Sequence, residues 1–494
     1  AIAGNTHFID FDLLTQMGLL KEADYASVNF GNDPTSVDYE RVFYARRPIL
    51  EIAVKNFLEN QSFQADFKHF EKSNRLWLDD FAEFMAIKEH FGNQALQKWD
   101  DKKVVARDPK TLEKYRTMLV DQIQYFKVTQ YFFFKQWSEL KDYANQRGIK
   151  IIGDMPIYVA ADSVEVWAKP ELFQLDKERN PLFVAGVPAD QFSATGQLWG
   201  NPLYDWEEHK KQGYTWWIHR IEESFKIYDV LRIDHFKGFS DYWQVDGKAD
   251  IAKYGTWQPG PGYDLFKVVK EQLGDLPIIA EDLGNIDEKA RKLLTDCNYP
   301  GMKILQFGFE DVSGKSLDSP HYCIPHSIAY TGTHDNDVTN GWYNGLTAQQ
   351  QQYINDYTHR HNDESICQAM IRQLFATVNN TAIATMQDIL DSPASSRMNL
   401  PSTIGGNWQW RMQKSDLTQD KKDFLAKMTT LYQRANQEIP MIKFSTFVKN
   451  KTNKSLEQLS DKETYIQLLN YVKTLSADKP KNTGKRKVYY ISAE

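Results

Sequence analysis

Acidic side chains recur at the ends of short apolar runs in this sequence. The runs IKIIGD, VLRID, PIIAED and IAYTGTHD end at or beside Asp154, Asp234, Glu281 and Asp335. Any one of these residues could simply cap a following helix. Four carboxyl groups gathered at one edge of a sheet would instead push their pKa values apart, leaving one protonated while another is ionised. That combination suits cleavage of a glycosidic bond, which needs a carboxylate at the anomeric carbon and a carboxylic acid at the leaving oxygen.

Two basic side chains accompany these carboxyl groups. Arg232 lies two residues before Asp234, on the same side of a strand, and is predicted to hold Asp234 ionised; the alternative is a surface salt bridge. His334 precedes Asp335 in GTHDND, and the pair is suited to gripping adjacent sugar hydroxyls. A metal site built from His235, His334 and Asp335 would lack the usual ligand spacing, so no metal and no cofactor are predicted.

Aromatic residues concentrate in a stretch rich in turn residues. ADQFSATGQLWGNPLYDW, residues 189–206, carries Trp199, Tyr204 and Trp206 and is predicted to be an irregular loop. Its aromatic rings either cover a bound saccharide or plug the core beneath the loop. GGNWQWR, residues 405–411, is a similar stretch.

The elements that must position these residues follow from the periodicity. From about 10 to 148 the pattern is helical, and Gly148 stands where a helix should end. From 149, strand-like runs alternate with helix-sized gaps, which predicts an α/β fold with a parallel sheet. Polar residues at the ends of the runs favour a (β/α)8 barrel of the TIM type, whose site lies at the strand C-termini. There are six runs where a closed barrel needs eight: IKIIGD, VLRID, PIIAED, MKILQFGF, IAYTGTHD and AIATMQD.

Bulk properties exclude several classes of protein. The net charge is −7 and the pI is about 5.9, which argues against nucleic-acid binding. No apolar run approaches the ~18 residues of a membrane span. Three scattered cysteines, with no signal peptide visible at the start, indicate reduced thiols and a cytoplasmic protein. No GxGxxG follows a strand, so a dehydrogenase is not expected.

Seven blocks together resemble a known family. IIGDMPIYVA, GQLWGNPLYDW, LRIDHFKGF, IIAEDLG, MKILQF, YTGTHDND and PSTIGGNWQWR occur in the order of the signature blocks of amylomaltases, the bacterial 4-α-glucanotransferases. The resemblance covers about residues 1–434. It implies a barrel of the α-amylase clan and retaining transfer of α-1,4-glucan segments between maltodextrin donors and sugar acceptors.

The resemblance also assigns roles to residues. It places the nucleophile at Asp234, the acid/base at Glu281 and a transition-state-stabilising carboxylate at Asp335. The residues implied in substrate binding are Asp154, Trp199, Arg232 and His334. An α-amylase-like hydrolase would have the same three catalytic carboxyl groups and is the alternative. A non-catalytic glucan-binding protein would leave the carboxyl groups at the strand ends unexplained.

The resemblance divides the chain into three parts. Residues 1–148 are expected to form a helical insertion subdomain. Residues 149–434 should supply barrel strands 3–8 with a lid loop at about 185–215, the first two strands being absent from this chain. Residues 435–494 are predicted to be an appended segment, of which 441–494 resembles the N-terminus of an α-glucan (maltodextrin) phosphorylase. Such a phosphorylase is therefore expected as a fusion partner or genomic neighbour.

Overall fold

The computed structural model describes residues 2–189, 193–284 and 286–435, and beyond these only short stretches between 448 and 489. Within these residues the fold mixes helices and strands. The α-helices are α1 (Phe11–Gln16), α2 (Tyr39–Glu59), α3 (Gln64–Ser73), α4 (Arg75–His90), α5 (Lys102–Val105), α6 (Pro109–Met118), α7 (Val120–Gln146), α8 (Val164–Ala168), α9 (Trp206–Lys211), α10 (Thr215–Ile227), α11 (Tyr263–Leu273), α12 (Glu288–Cys297), α13 (Leu305–Glu310), α14 (Thr339–Gly345), α15 (Ala348–Thr358), α16 (Ile366–Ala376), α17 (Met386–Leu390) and α18 (Gln419–Leu431).

The strands begin only after residue 150. They are β1 (Ile152–Met155), β2 (Phe183–Val187), β3 (Gln197–Pro202), β4 (Val230–Ile233), β5 (Asp241–Asp246), β6 (Gly255–Pro259), β7 (Ile278–Ala280), β8 (Gly301–Ile304), β9 (Ser327–Tyr330), β10 (Thr381–Ile383) and β11 (Lys487–Tyr489).

Helix α7 organises the helical part of the chain. Its aromatic side chains between Tyr125 and Phe133 are buried, whereas Leu140, nearer its C-terminal end, is exposed. Gly148 follows the helix with φ of +73°, a left-handed conformation that suits glycine at a helix end. Two glutamines of α7 bind the main chain of the N-terminal segment. Gln130 accepts from the N–H of Gly4 at 2.7 Å and donates to its carbonyl at 3.0 Å, and Gln136 does the same to Asp10 at 2.7 and 3.0 Å.

Each of the six runs predicted to be strands contains one. Strands β1, β4 and β7 are parallel neighbours, as are β8, β9 and β10. The N–H of Ala280 donates to the carbonyl of Pro300 at 3.0 Å and so links β7 to the start of β8. Apolar side chains of five of these strands pack together as one cluster: Val230, Ile279, Met302, Ile304, Ile328, Tyr330 and Ile383.

The run MKILQFGF ends as a strand sooner than predicted. Strand β8 stops at Ile304, and Leu305 begins α13. Leu305 and Phe309 are four residues apart, so in a helix both reach the cluster formed with α16. Burial of this pair favours a helix where the apolar run alone predicts a strand.

The stretch 189–206, predicted to be an irregular loop, contains strand β3 and the first residue of α9, so that prediction is wrong for this part of the described residues. A lid formed by residues 185–215 stays a prediction. Strands β2 and β3 form an antiparallel pair within a second sheet of order β3-β2-β5-β6, and α9 follows. Close approach of the strands explains Gly186, since a Cβ there would lie 2.4 Å from the carbonyl oxygen of Gln197. Gly186 therefore allows the two strands to lie close together.

Strand β11 lies beside β10. Residues 487–489 pair in parallel with residues 381–383. This short piece of the predicted appended segment thus extends the sheet of β8, β9 and β10, while most of 435–494 lies outside the described residues.

The predicted boundary near 148 is crossed by the main core. One hydrophobic cluster includes buried side chains from both sides of it, among them Phe84 and Trp167, whose ring centres are 5.8 Å apart. The indole of Trp137 also donates to the carbonyl of Ile227 at 2.9 Å. Among the described residues, no helix is both long and apolar enough to cross a membrane.

Candidate active site

The four acidic residues singled out in the sequence all lie towards the C-terminal ends of parallel strands. Asp154 belongs to β1, Asp234 and Glu281 directly follow β4 and β7, and Asp335 is in the loop after β9. Because the strands run in parallel, their C-terminal ends share one edge, and the side chains meet there.

Arg232 joins two of these carboxyl groups. It lies opposite Asp154 in the β1–β4 register, and its Nη1 is 2.7 and 2.6 Å from the two oxygens of Asp154 and 3.0 Å from Oδ1 of Asp234. The ion pair expected from the two-residue spacing is therefore present. Burial alone would lower the pKa of Arg232, but the surrounding carboxylates outweigh it and raise that pKa, so the guanidinium is always charged.

Asp234 opens onto the cleft, with 41 % of its side chain exposed. Its partial burial raises the pKa of the carboxyl group above the ordinary 3.8, and the charges of Asp154 and Asp335 act in the same direction. The charge of Arg232 opposes them. An exposed, anchored carboxylate of this kind is suited to attack a bound substrate.

Glu281 has a different environment. Its Oε2 accepts the N–H of His235 and its Oε1 accepts the N–H of Leu283, both at 2.8 Å. Burial raises the pKa of Glu281 to about 7, and the nearby charge of Asp234 adds to this, while Arg232 and the two N–H groups oppose it. Glu281 is thus poised to hold and release a proton near neutral pH.

His235 makes the turn that brings one of these N–H groups to Glu281. Its φ of +48° and ψ of +50° are left-handed, an uncommon and strained conformation for a residue with a Cβ. Burial lowers the pKa of His235 to about 4, so the ring is neutral.

Asp335 is held by residues that lie outside the strands. Asn399 donates to its Oδ1 at 2.7 Å, and Nε2 of His334 lies 3.3 Å from its Oδ2. Arg397 donates to its carbonyl at 2.8 Å. Burial would raise the pKa of Asp335, but His334 and Asn399 outweigh it and lower that pKa, which keeps the group ionised.

The sequence analysis missed Asn399 and Arg397. They lie next to PSTIGGNWQWR, where tryptophans were the only signal noted. Trp408 of that block does reach the site, since its ring centre is 5.1 Å from that of His334.

Of the three aromatic residues predicted between 199 and 206, Trp199 lies at the site. Its ring is perpendicular to that of His235 with centres 4.8 Å apart, and 37 % of the side chain is exposed. Tyr204 is fully buried, and its hydroxyl donates to the carbonyl of Ile157 at 2.7 Å. Trp206 packs partly buried against the core. Tyr204 and Trp206 are therefore core residues, because their rings pack against those of Phe173 and Trp217, respectively.

The histidines weighed above as metal ligands do not form a ligand cluster. Among the described residues, the group of ligand atoms close enough together to hold an ion is that of His219, Glu222 and Glu223 on α10, and Glu223 is paired with Lys226 there. His334 and Asp335 contact each other instead.

Carboxyl groups of contrasting protonation at the strand ends of an α/β fold are typical of enzymes that act on glycosidic bonds. A family model described as 4-alpha-glucanotransferase matches residues 1–418. The 4-alpha-glucanotransferase of Streptococcus pneumoniae is 51 % identical over 444 residues, which are 90 % of this chain and 88 % of that protein. That of Clostridium butyricum is 42 % identical over 438 residues, or 88 % and 89 % of the two chains.

A solved structure agrees with these matches. An amylomaltase from Streptococcus agalactiae in complex with acarbose has a TM-score of 0.87 and 57 % identity over 88 % of each chain. The chain belongs to the 4-alpha-glucanotransferase family. The predicted function, a glycosyltransferase-type enzyme of carbohydrate metabolism, is confirmed and preferred to the hydrolase alternative. These similarities give no support to the predicted resemblance of residues 441–494 to a phosphorylase.

Proposed function

We propose that this enzyme transfers α-1,4-glucan segments between maltodextrins by two successive displacements at Asp234. The observation that supports this most is the contrast between neighbouring carboxyl groups. The pKa of Glu281 is raised to about 7, whereas that of Asp335 is lowered, so acid and carboxylate coexist at neutral pH. Retaining chemistry pairs such an acid with a nucleophilic carboxylate, here Asp234, which Arg232 contacts at 3.0 Å.

In the first step, a carboxylate oxygen of Asp234 attacks C1 of the donor glucosyl unit. The bond between C1 and the glycosidic oxygen breaks, and Glu281 gives its proton to the departing oxygen. A glycosyl ester on Asp234 results. Asp335, ionised and fixed by Asn399 and His334, stabilises the positive charge that develops on the sugar ring.

In the second step, a hydroxyl of the acceptor glucan attacks the ester. Glu281, now a carboxylate, takes the proton of that hydroxyl, and Asp234 leaves as a carboxylate. Transfer requires that water be kept out, and Trp199 beside His235 is the candidate for covering the ester.

The remaining predicted residues bind the donor in this proposal. Asp154 and His334 present an acceptor and a donor to sugar hydroxyls, while Arg232 fixes both Asp154 and Asp234 in place. The strands β1, β4, β7, β8, β9 and β10 are taken as the third to eighth strands of a (β/α)8 barrel. A phosphorylase partner for residues 441–494 stays a prediction from the sequence.

Product analysis on maltotriose tests the reaction. Transfer yields glucose together with maltodextrins longer than the substrate, without phosphate. Glucose and maltose alone, with no lengthening, would instead indicate hydrolysis.

Asp234→Ala should reduce turnover by several orders of magnitude, and Glu281→Gln should still form a glycosyl-enzyme from an activated fluoride donor. Substantial activity in Asp234→Ala would place the nucleophile elsewhere.

A further inference from the structure

Only two of the thirteen tryptophans, all of which lie in the described residues, have more than a third of the side chain exposed. They are Trp199, at the candidate site, and Trp257, with 45 % of its side chain exposed. The other eleven tryptophans are buried or half-buried. Trp257 has no part in the chemistry described above.

Trp257 is fixed in position rather than loose on the surface. It lies in β6 directly opposite Trp243 of β5, with ring centres 5.2 Å apart at an angle of 62°. Trp243 is itself anchored, since its indole N–H donates to the carbonyl of Ala252 at 2.7 Å. The ammonium of Lys237 lies 4.6 Å from the centre of the Trp257 ring. Both contacts hold the ring while leaving much of it open to solvent.

Lys237 lies between the Trp257 ring and the two chain segments that carry Asp234 and Glu281. It belongs to the 3₁₀ helix Phe236–Phe239, which begins two residues after Asp234. Its Nζ is also 3.2 Å from Asp287, at the end of the loop that starts with Glu281. The chain beyond β6 is tied to the same 3₁₀ helix, because the N–H of Gly262 donates to the carbonyl of Phe239 at 2.8 Å.

We propose that Trp257 is a stacking platform for glucosyl units of the leaving and acceptor chains, several units from the reacting bond. The proposal rests on the proposed function of the site. Glu281 protonates the leaving oxygen, so chain that extends past the Glu281 loop is on the acceptor side. A flat indole offers the apolar face of a glucose ring a large contact area and does not need a particular hydroxyl pattern. Trp199 covers the reacting sugar, and Trp257 binds the chain further along.

The test measures acceptor affinity separately from chemistry. With α-maltosyl fluoride as donor, each fluoride released marks a turnover in which no leaving glucan is bound, so the rate of fluoride release with glucose or maltopentaose added reports on the acceptor. Trp257→Ala should raise the KM for maltopentaose roughly ten-fold, about the loss of one stacking contact, with kcat and the KM for glucose unchanged. Trp257→Tyr should restore the KM to within a few-fold of the original enzyme.

Matched variants separate binding from structure. Tyr254→Ala removes a more exposed ring, at 73 %, three residues away and should leave both acceptors unaffected. Trp257→Leu keeps an apolar side chain without a flat ring and serves if the alanine variant does not fold; it too should raise the maltopentaose KM. Equal losses with both acceptors, or no change with either, would overturn the proposal. Failure of the unmodified enzyme to transfer to either acceptor would instead overturn the proposed function.

Discussion

Two charged neighbours, Arg232 and Asp154, act in opposite directions on the pKa of the nucleophile Asp234. Arg232 contacts both Asp154 and Asp234; burial raises the pKa of Asp234, the charges of Asp154 and Asp335 add to this, and the charge of Arg232 opposes it. Asp154 raises that pKa and Arg232 lowers it. The two neighbours can therefore be removed separately, with opposite consequences.

We predict that Asp154→Asn and Arg232→Met shift the acid limb of activity in opposite directions. Activity is lost as pH falls through the pKa of Asp234, because the nucleophile must be ionised. Loss of the Asp154 charge lowers that pKa and moves the limb to lower pH, whereas loss of Arg232 moves it to higher pH. Arg232→Met should also cost about 3–5 kcal/mol of unfolding free energy, since it leaves the largely buried carboxylate of Asp154 unpaired. Profiles of kcat/KM against pH and denaturant unfolding measure both effects; shifts of the same sign would contradict this account.

The basic limb should belong to Glu281. Its pKa is raised to about 7, so the group is protonated below that pH and loses its proton above it. Transfer from maltotriose needs the proton and should fall as pH rises through about 7. A fluoride leaving group needs no proton, so formation of the glycosyl-enzyme from α-maltosyl fluoride should lack this limb. An identical limb with both donors would assign it to another group.

The turn after strand β4 positions both Asp234 and Glu281. Asp234 ends the strand, and His235 turns left-handed so that its N–H meets Glu281. We predict that His235→Gly keeps this turn and His235→Val does not, because a β-branched residue is strongly disfavoured at positive φ. The valine variant should be less stable by about 1–2 kcal/mol.

The same pair of variants has a distinguishing readout. If the turn opens in His235→Val, Glu281 loses an N–H that lowers its pKa, and the basic limb should move to higher pH. The glycine variant lacks the same imidazole but should keep the limb near its original position. Matching profiles in the two variants would show that the backbone conformation does not matter.

Local patterns predicted the six strands β1, β4, β7, β8, β9 and β10 because burial on both faces leaves short, continuous apolar runs. VLRI and SIAY are strands with every residue buried. The acidic residues at their ends were found for the same reason, since charged groups stand out against such runs. The roles of these residues came from a family resemblance and are still to be tested.

Structural features that depend on contacts between distant parts of the sequence could not be predicted from local patterns. Strand β3 exists because β2 lies beside it, and its own sequence, QLWGNP, has the composition of a turn. Asn399 reaches Asp335 across 64 residues, and nothing in its neighbourhood marks it as a hydrogen-bond donor to a carboxylate. Contacts of this kind are decided by tertiary structure.

At the scale of the whole molecule, the C-terminal segment contributes an edge strand rather than a catalytic group. Deletion of residues 484–494 removes β11 and leaves main-chain groups of β10 unpaired. We expect a loss of about 1–3 kcal/mol in unfolding free energy and more aggregation, because an open edge pairs with other chains. Transfer activity per folded molecule should be unchanged.

A shorter deletion is the control. Removing only residues 490–494 retains β11 and should leave stability and light scattering as in the full chain. Denaturant unfolding and scattering of concentrated samples distinguish the two deletions. Equal stability in both would mean that the pairing of β11 with β10 contributes nothing.

The two glutamines of α7 fix the length of the N-terminal segment between the main-chain groups that they bind. Gln130 and Gln136 are six residues apart, about 9 Å along a helix, and the main-chain sites they grip at Gly4 and Asp10 are also six residues apart. The glutamine side-chain amides bind only main-chain groups, so the exposed side chains between Gly4 and Asp10 are free to vary. The number of residues between Gly4 and Asp10 is fixed, however. Inserting or removing one residue would move one of these two main-chain sites away from its glutamine and leave polar groups without hydrogen-bond partners. Length changes between Gly4 and Asp10 should therefore be absent from functional variants of this chain, even where substitutions between these two residues are common.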